Sequence, residues 1–351
     1  MLAVDGRAFR ATWTVMVTVG LAGSVWLVRE ALLVMVLAVL FAYVVWPLVA
    51  VAERLCKRAW PRLKATRLAA LAVVYPVLIT AAVVATIGLA PEIAQQAATL
   101  FGRVKGFVEG VQKGQLLEQM SAQRGWSLPA LYAIRDQVIS HAGELLSYAQ
   151  RAGVEVLRYA SNLWLAVLVP ILAFFFLKDA EELTEAVGRS FEREEHRGLM
   201  REIFTDLHVL LAQYMRALIL LSLLTFGSHA LVFLVIGAPY ALLLATLAGV
   251  LEFIPMVGPL TAGAVILVAS WVAGYPHMVW IVVFLVVWRI VQDYVNMPWV
   301  LGSGIELHPL LVIFGILAGA EVGGVAGMFL SIPTMAAVRI LVRRAAGVRL
   351  R

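Results

Sequence analysis

Glu252, Pro255, Gly258 and Pro259 stand in the stretch LEFIPMVGPL (251–260), inside one of the most apolar parts of the chain. A carboxylate at membrane depth is costly, so its presence there marks a candidate functional position. The two prolines remove backbone donors and break a helix. A second polar group follows at Arg289, Gln292, Asp293 and Asn296. Arg289, Asp293 and Asn296 are spaced i, i+4, i+7 and so share one helix face. With Glu321, these residues are the candidates for a substrate or ion pathway: the stripe would line it, and Glu252 and Glu321 would carry protons. Packing roles stand beside these readings. Arg289 and Asp293 form an ion pair in that view, and the two glutamates cap helix breaks. His229 fits a packed neutral histidine, and His308 a helix-start residue.

Other chemistry lacks its residues. The chain has no Walker-type phosphate loop, no HExxH and no Cys/His cluster, and GLAGS (20–24) has no partners for a serine nucleophile. Neither catalysis, nor a cofactor, nor a metal is expected. The single cysteine, Cys56, excludes an intrachain disulfide.

The elements that must position these residues are membrane helices. Hydrophobic residues make up 62% of the chain and charged ones 14%, with a mean hydropathy of +0.91; soluble domains run nearer half apolar and a quarter charged. The net charge of +6 therefore reads as cytoplasmic loop charge rather than a nucleic-acid surface. Two apolar runs, 11–28 and 31–51, are separated by Arg29 and Glu30, and no cleavage motif for a signal peptide precedes them. Residues 53–67 carry six Lys or Arg against one acid, which puts that loop and both termini in the cytoplasm.

Five segments follow: N-terminal membrane helices (1–90), an extracytoplasmic amphipathic helical region (91–160), a membrane helix (161–177), a cytoplasmic amphipathic helix (178–216) and a C-terminal membrane core (217–351). The second arm of the 91–160 region starts at Ser127 and Pro129.

Within the core, arms 240–254 and 260–273 are each too short to span a bilayer comfortably, so 240–273 reads as a hairpin whose broken tip faces protein or a cavity. The stretch 309–342 is too long for one straight crossing. Its PLLVIFGILAGAE resembles PYALLLATLAGVLE (239–252), and the loop charges put its start on the opposite side of the membrane. Two broken segments entering from opposite faces are the build of inverted-repeat transporters. Gly315, Gly319, Gly323 and Gly327 form an i+4 stripe for close packing, either on one continuous helix or between two apposed arms. The expected fold is thus all-α and polytopic, with about eight spanning or hairpin elements, two of them re-entrant hairpins, and amphipathic soluble helices.

FFFLKD (174–179), GAPYALLLATLAGVLEFIPMVGPL (237–260) and QDYVNMPWVLGSGIELHPLLVIFGILAGAEVGGVAGMFLSIP (292–333) resemble the signatures of the autoinducer-2 exporter family, the PerM-like permeases. The matches fall on Pro255, Gly258, Pro259, Asp293, Leu307–Pro309 and Gly327–Pro333. The resemblance implies a bacterial inner-membrane permease, with export of the quorum-sensing signal autoinducer-2 or sodium(lithium)/proton antiport, and a homo-oligomer, plausibly a pentamer. Its partners would be a small polar organic solute, protons or monovalent cations, and the lipid bilayer, with no nucleic acid. A scaffold that transports nothing is the reading from another class. One departure stands out: after YMR (214–216) the family typically carries Gly-Gln, whereas this chain has Ala217 and Leu218.

Overall fold

The computed structural model describes residues 6–59, 66–112, 163–189, 194–301 and 308–345, and every regular element among them is a helix. In chain order these are α1 (Gly6–Leu27), α2 (Arg29–Ala59), α3 (Thr66–Gln112), α4 (Leu163–Arg189), α5 (Glu194–Ile236), α6 (Ala241–Leu251), α7 (Val257–Val272), α8 (Met278–Val291), a π-helical turn (Gln292–Asn296), α9 (Met297–Leu301) and α10 (Pro309–Ala345). The second arm expected after Ser127 and Pro129, and the loop residues 302–307, lie outside the described residues. Five helices among the described residues are long and apolar enough to cross a membrane: Arg29–Ala59, Thr66–Gly110, Arg197–Ile236, Met278–Val300 and Leu310–Arg344. The chain is an all-α, multi-pass membrane protein.

The chain divides into two compact units. The first comprises residues 1–71 and 159–184. In α2 the buried residues Val34, Ala38, Ala42, Val45 and Val49 recur at helical spacing, while Leu32, Met35 and Val36 are exposed. That division is what a membrane helix shows when one stripe packs on protein and the rest meets lipid. Thr66 Oγ1 donates to Glu53 Oε1 across 3.5 Å, and Lys57 pairs with Glu53 at 2.7 Å.

The second unit comprises residues 72–158 and 185–351 and holds all the candidate site residues. Its hub is α5, which packs along α6 and also touches α9 and α10. The tight α5–α6 crossing needs Gly249, where a Cβ would stand 3.0 Å from Phe226 Cβ and 3.1 Å from Ser222 O. Ser222 Oγ donates to Gly249 O at 2.7 Å in the same place. Phe233, Leu244, Ile266 and Ile281 fill the core beside it. α5 and α7 both end in Schellman motifs: Ala238 N–H reaches Phe233 O (2.8 Å) and Tyr275 N–H reaches Ser270 O (3.0 Å), closed by Gly237 at φ 66° and Gly274 at φ 72°. α3 supplies further caps, as Gln96 Oε1 accepts from Leu243 N–H (3.0 Å) and Arg103 donates to Ala273 O (2.8 Å).

α10 is interrupted at Gly324, whose φ of 59° and ψ of −138° are not helical. A Cβ on Gly319 would lie 2.3 Å from Gly327 O, and one on Gly327 would lie 1.9 Å from Gly319 O. Residues eight apart on a straight helix would be separated by about 12 Å. The two arms of α10 therefore run back along each other, and Gly315, Gly319 and Gly327 stand at their contact. Gly323 has open space instead. At the end of α10, the Arg344 guanidinium binds Asp206 of α5 through Nε (2.8 Å) and Nη2 (2.5 Å), and also Glu202.

The boundaries expected at 90/91, 177/178 and 216/217 fall inside α3, α4 and α5, which run through them unbroken. Polarity changes at each point, yet helix hydrogen bonds are local and indifferent to whether lipid or water surrounds them.

A candidate solute site at the broken helix

Between α6 and α7 the chain turns through Glu252–Met256 and satisfies most of its backbone donors locally. Glu252 N–H bonds to Ala248 O (3.2 Å), Ile254 N–H to Leu251 O (2.9 Å) and Gly258 N–H to Ile254 O (2.9 Å). Val257 N–H closes on Pro255 O at 2.7 Å, around Met256 at φ 63° and ψ −53°. These values describe the rare, strained form of γ-turn, and a non-glycine residue held there is a local store of strain. Gly258 is obligatory for a different reason: a Cβ at that position would sit 1.8 Å from Leu251 O. Pro255 stands in the break, Pro259 falls in the first turn of α7 where proline is tolerated, and the glycine lets the broken ends pass.

The break delivers Glu252 to a polar chain built from three elements. Gln292 Nε2 donates to Glu252 Oε1 (3.0 Å), and Thr225 of α5 donates to Glu252 Oε2 (3.2 Å). Asn296 Nδ2 then donates to Gln292 Oε1 (2.9 Å). Arg289 and Asp293 form an ion pair at 2.8 Å. The turn from Gln292 to Asn296 is π-helical, a form frequent at functional sites. Within the expected stripe, Gln292 is buried and bonded to Glu252, whereas Arg289 and Asp293 stay partly exposed. A cavity of about 210 Å³ opens onto this chain. Glu252, Pro255, Pro259, Arg289, Gln292 and Asp293 line it. So do Tyr214, Leu218 and Leu221 from α5, and Val312 and Ile332 from the two arms of α10.

The structure therefore brings Glu252, Gln292, Asn296 and the Arg289–Asp293 pair together. Glu321 is exposed, three residues from Gly324, and does not line the cavity. His229 is buried, with Nδ1 2.8 Å from Thr225 O and its ring edge-on to Phe233 and Phe284. His308 accepts from Leu310 N–H at 3.3 Å, as a helix-start residue does. Sequence reasoning does not single out Thr225, Tyr214 or Gly324. Thr225 and Tyr214 look like ordinary residues of a long span, and Gly324 differs from Gly323 only in its backbone angles.

A family model described as AI-2E family transporter matches residues 15–347. YrrI of Bacillus subtilis, named as an inferred transport protein, is 25% identical over 181 residues, covering 50% of this chain and 50% of that one. MT0215 of Mycobacterium tuberculosis, with the same kind of name, is 31% identical over 175 residues, or 49% and 47% of the two chains. PerM of Escherichia coli K12, named as an inferred permease, is 26% identical over 179 residues, or 50% of each. The chain spans about half the length of the curated relatives it matches. With the family model matched over nearly its whole length, the chain belongs to the AI-2E family of membrane transporters.

Proposed function

We propose that the protein is a permease that exports a small polar molecule across the bacterial inner membrane by alternating access, driven by an existing gradient. Autoinducer-2 is the solute that the family's name suggests. One observation carries the reading: a part-buried polar chain of Thr225, Glu252, Gln292 and Asn296 lies at a 210 Å³ cavity beside a helix break. That volume equals the liquid share of about seven waters, enough for one small organic solute. Polar groups at membrane depth next to a break and a cavity are the arrangement a transport site requires.

Alternating access needs an element that can adopt two arrangements. The hairpin tip at Pro255–Gly258 and the α10 turn at Gly324 are the two candidates, and both contribute their own helix to the cavity wall. In this reading they enter the membrane from opposite faces, with both chain termini cytoplasmic. Movement of either tip would open the cavity to one side.

The test is efflux from proteoliposomes loaded with autoinducer-2 or another small polar solute. Wild type should empty them under an imposed ion or pH gradient, while Glu252→Gln and Asp293→Asn should slow release. Unimpaired transport by both variants would sink the site, and no efflux of any solute under any gradient would favour a scaffold.

A further inference from the structure

The charges around the cavity do not balance. Arg289 is held by Asp293 at 2.8 Å, while Glu252 receives only the neutral donors Gln292 and Thr225. Among the described residues, no Lys or Arg lies within ion-pair distance of Glu252. When Glu252 is ionised, two carboxylates share the single cation Arg289. A part-buried carboxylate with only neutral partners is stabilised in its charged form by a nearby cation, and an occupant of the cavity can supply one.

The apolar part of the lining limits the rest of the occupant. Leu218 and Leu221 of α5 face the cavity with Val312 and Ile332 of α10. A polyol placed there would lose its water hydrogen bonds on that side with nothing in exchange. An apolar body loses nothing and gains burial.

We propose that the cavity is a binding site for a small organic monocation, with Glu252 as counter-charge and the Leu218–Leu221–Val312–Ile332 wall holding the apolar part. This rests on the transport site proposed above, but it replaces a polyhydroxylated solute such as autoinducer-2 with a cationic one. Gln292 then has a positioning role, fixing the Glu252 carboxylate through Oε1. Leu218 is the specificity residue, because it fills the wall position where a polar side chain would admit a more hydroxylated solute.

The experiment is equilibrium binding of radiolabelled choline to the purified full-length chain in nanodiscs, with 3,3-dimethyl-1-butanol, its uncharged isostere, as competitor. Unlabelled choline should displace the label, and the neutral isostere should need about tenfold more or worse. Glu252→Gln should weaken choline by about tenfold with little change for the isostere. Leu218→Gln should weaken choline a few-fold while retaining the charge preference. Equal displacement by choline and its isostere in wild type overturns the proposal, whatever becomes of the variants, and so does an absence of choline binding. If proteoliposomes still export a neutral polar solute in that case, the transport reading survives alone. If they export nothing, both fall.

Discussion

Replacing Gly258 by alanine tests the geometry of the broken helix directly. The added Cβ would lie 1.8 Å from Leu251 O and 2.7 Å from Leu251 C, where real contacts keep at least 3.0 Å. The obstacle is backbone, so it cannot rotate away, and the end of α6 must retreat by about 1.2 Å on that geometry. Glu252 is the next residue and would move with it. Its hydrogen bonds to Thr225 and Gln292 measure 3.2 and 3.0 Å, and a contact beyond about 3.5 Å no longer counts as one. Both should break. Overpacking costs about 1–3 kcal/mol and each of the two lost part-buried hydrogen bonds about 1–3 kcal/mol, so the total is on the order of 3–9 kcal/mol. Thermal unfolding of the purified protein should then fall by about 10 °C, and solute efflux should fall with it. Gly263 is the control: it lies on the same α7 helix with nothing within 4 Å of its would-be Cβ. Gly263→Ala should change stability by about 1 kcal/mol or less. If Gly258→Ala melts and transports like Gly263→Ala, the close passage at Leu251 is wrong.

Further outcomes test the polar chain and the α10 turn. Gln292→Leu leaves both Glu252 Oε1 and Asn296 Nδ2 without their partner, and should cost about 2–5 kcal/mol. Asp293→Asn removes a half-exposed ion pair and should cost about 1 kcal/mol or less. The reverse order, read by thermal unfolding, would mean that Asp293 rather than Gln292 organises the site. In a Cys56→Ser background, the double variant Gly315→Cys, Ser331→Cys should form a disulfide on mild oxidation, seen as a mobility shift that reductant reverses. A Cβ at Gly315 stands 3.6 Å from Ser331 Cβ, within the range of about 3.5–4.5 Å that a disulfide spans. On an unbroken helix those positions would be about 24 Å apart, so failure to cross-link would mean that α10 does not fold back.

Much of the site is legible in the residues themselves. Pro255, Gly258 and Pro259 announce a helix break through their own backbone chemistry, and Glu252 is conspicuous because its surroundings are so apolar. The stripe after Arg289 is visible as spacing, but its inner member is not. Asp293 stays with Arg289 as the i+4 spacing implies, but Gln292, beside them on the same face, takes the buried position. Glu321 shows the opposite failure: its sequence context parallels that of Glu252, yet it ends up exposed. A local repeat reports what lies beside a residue along the chain, and burial depends on what packs across from it.

Composition, periodicity and helix breakers act through short-range physics, so residue order alone dictates a helical membrane protein with a broken segment near Pro255. Long-range placement comes from packing. Thr225 becomes a partner of Glu252 because the α5–α6 crossing is tight enough to require Gly249. The cavity exists because α5, the hairpin tip and both arms of α10 converge on one place. No periodicity encodes such meetings: they depend on how closely separate helices approach, which a single glycine or one turn of altered pitch can set.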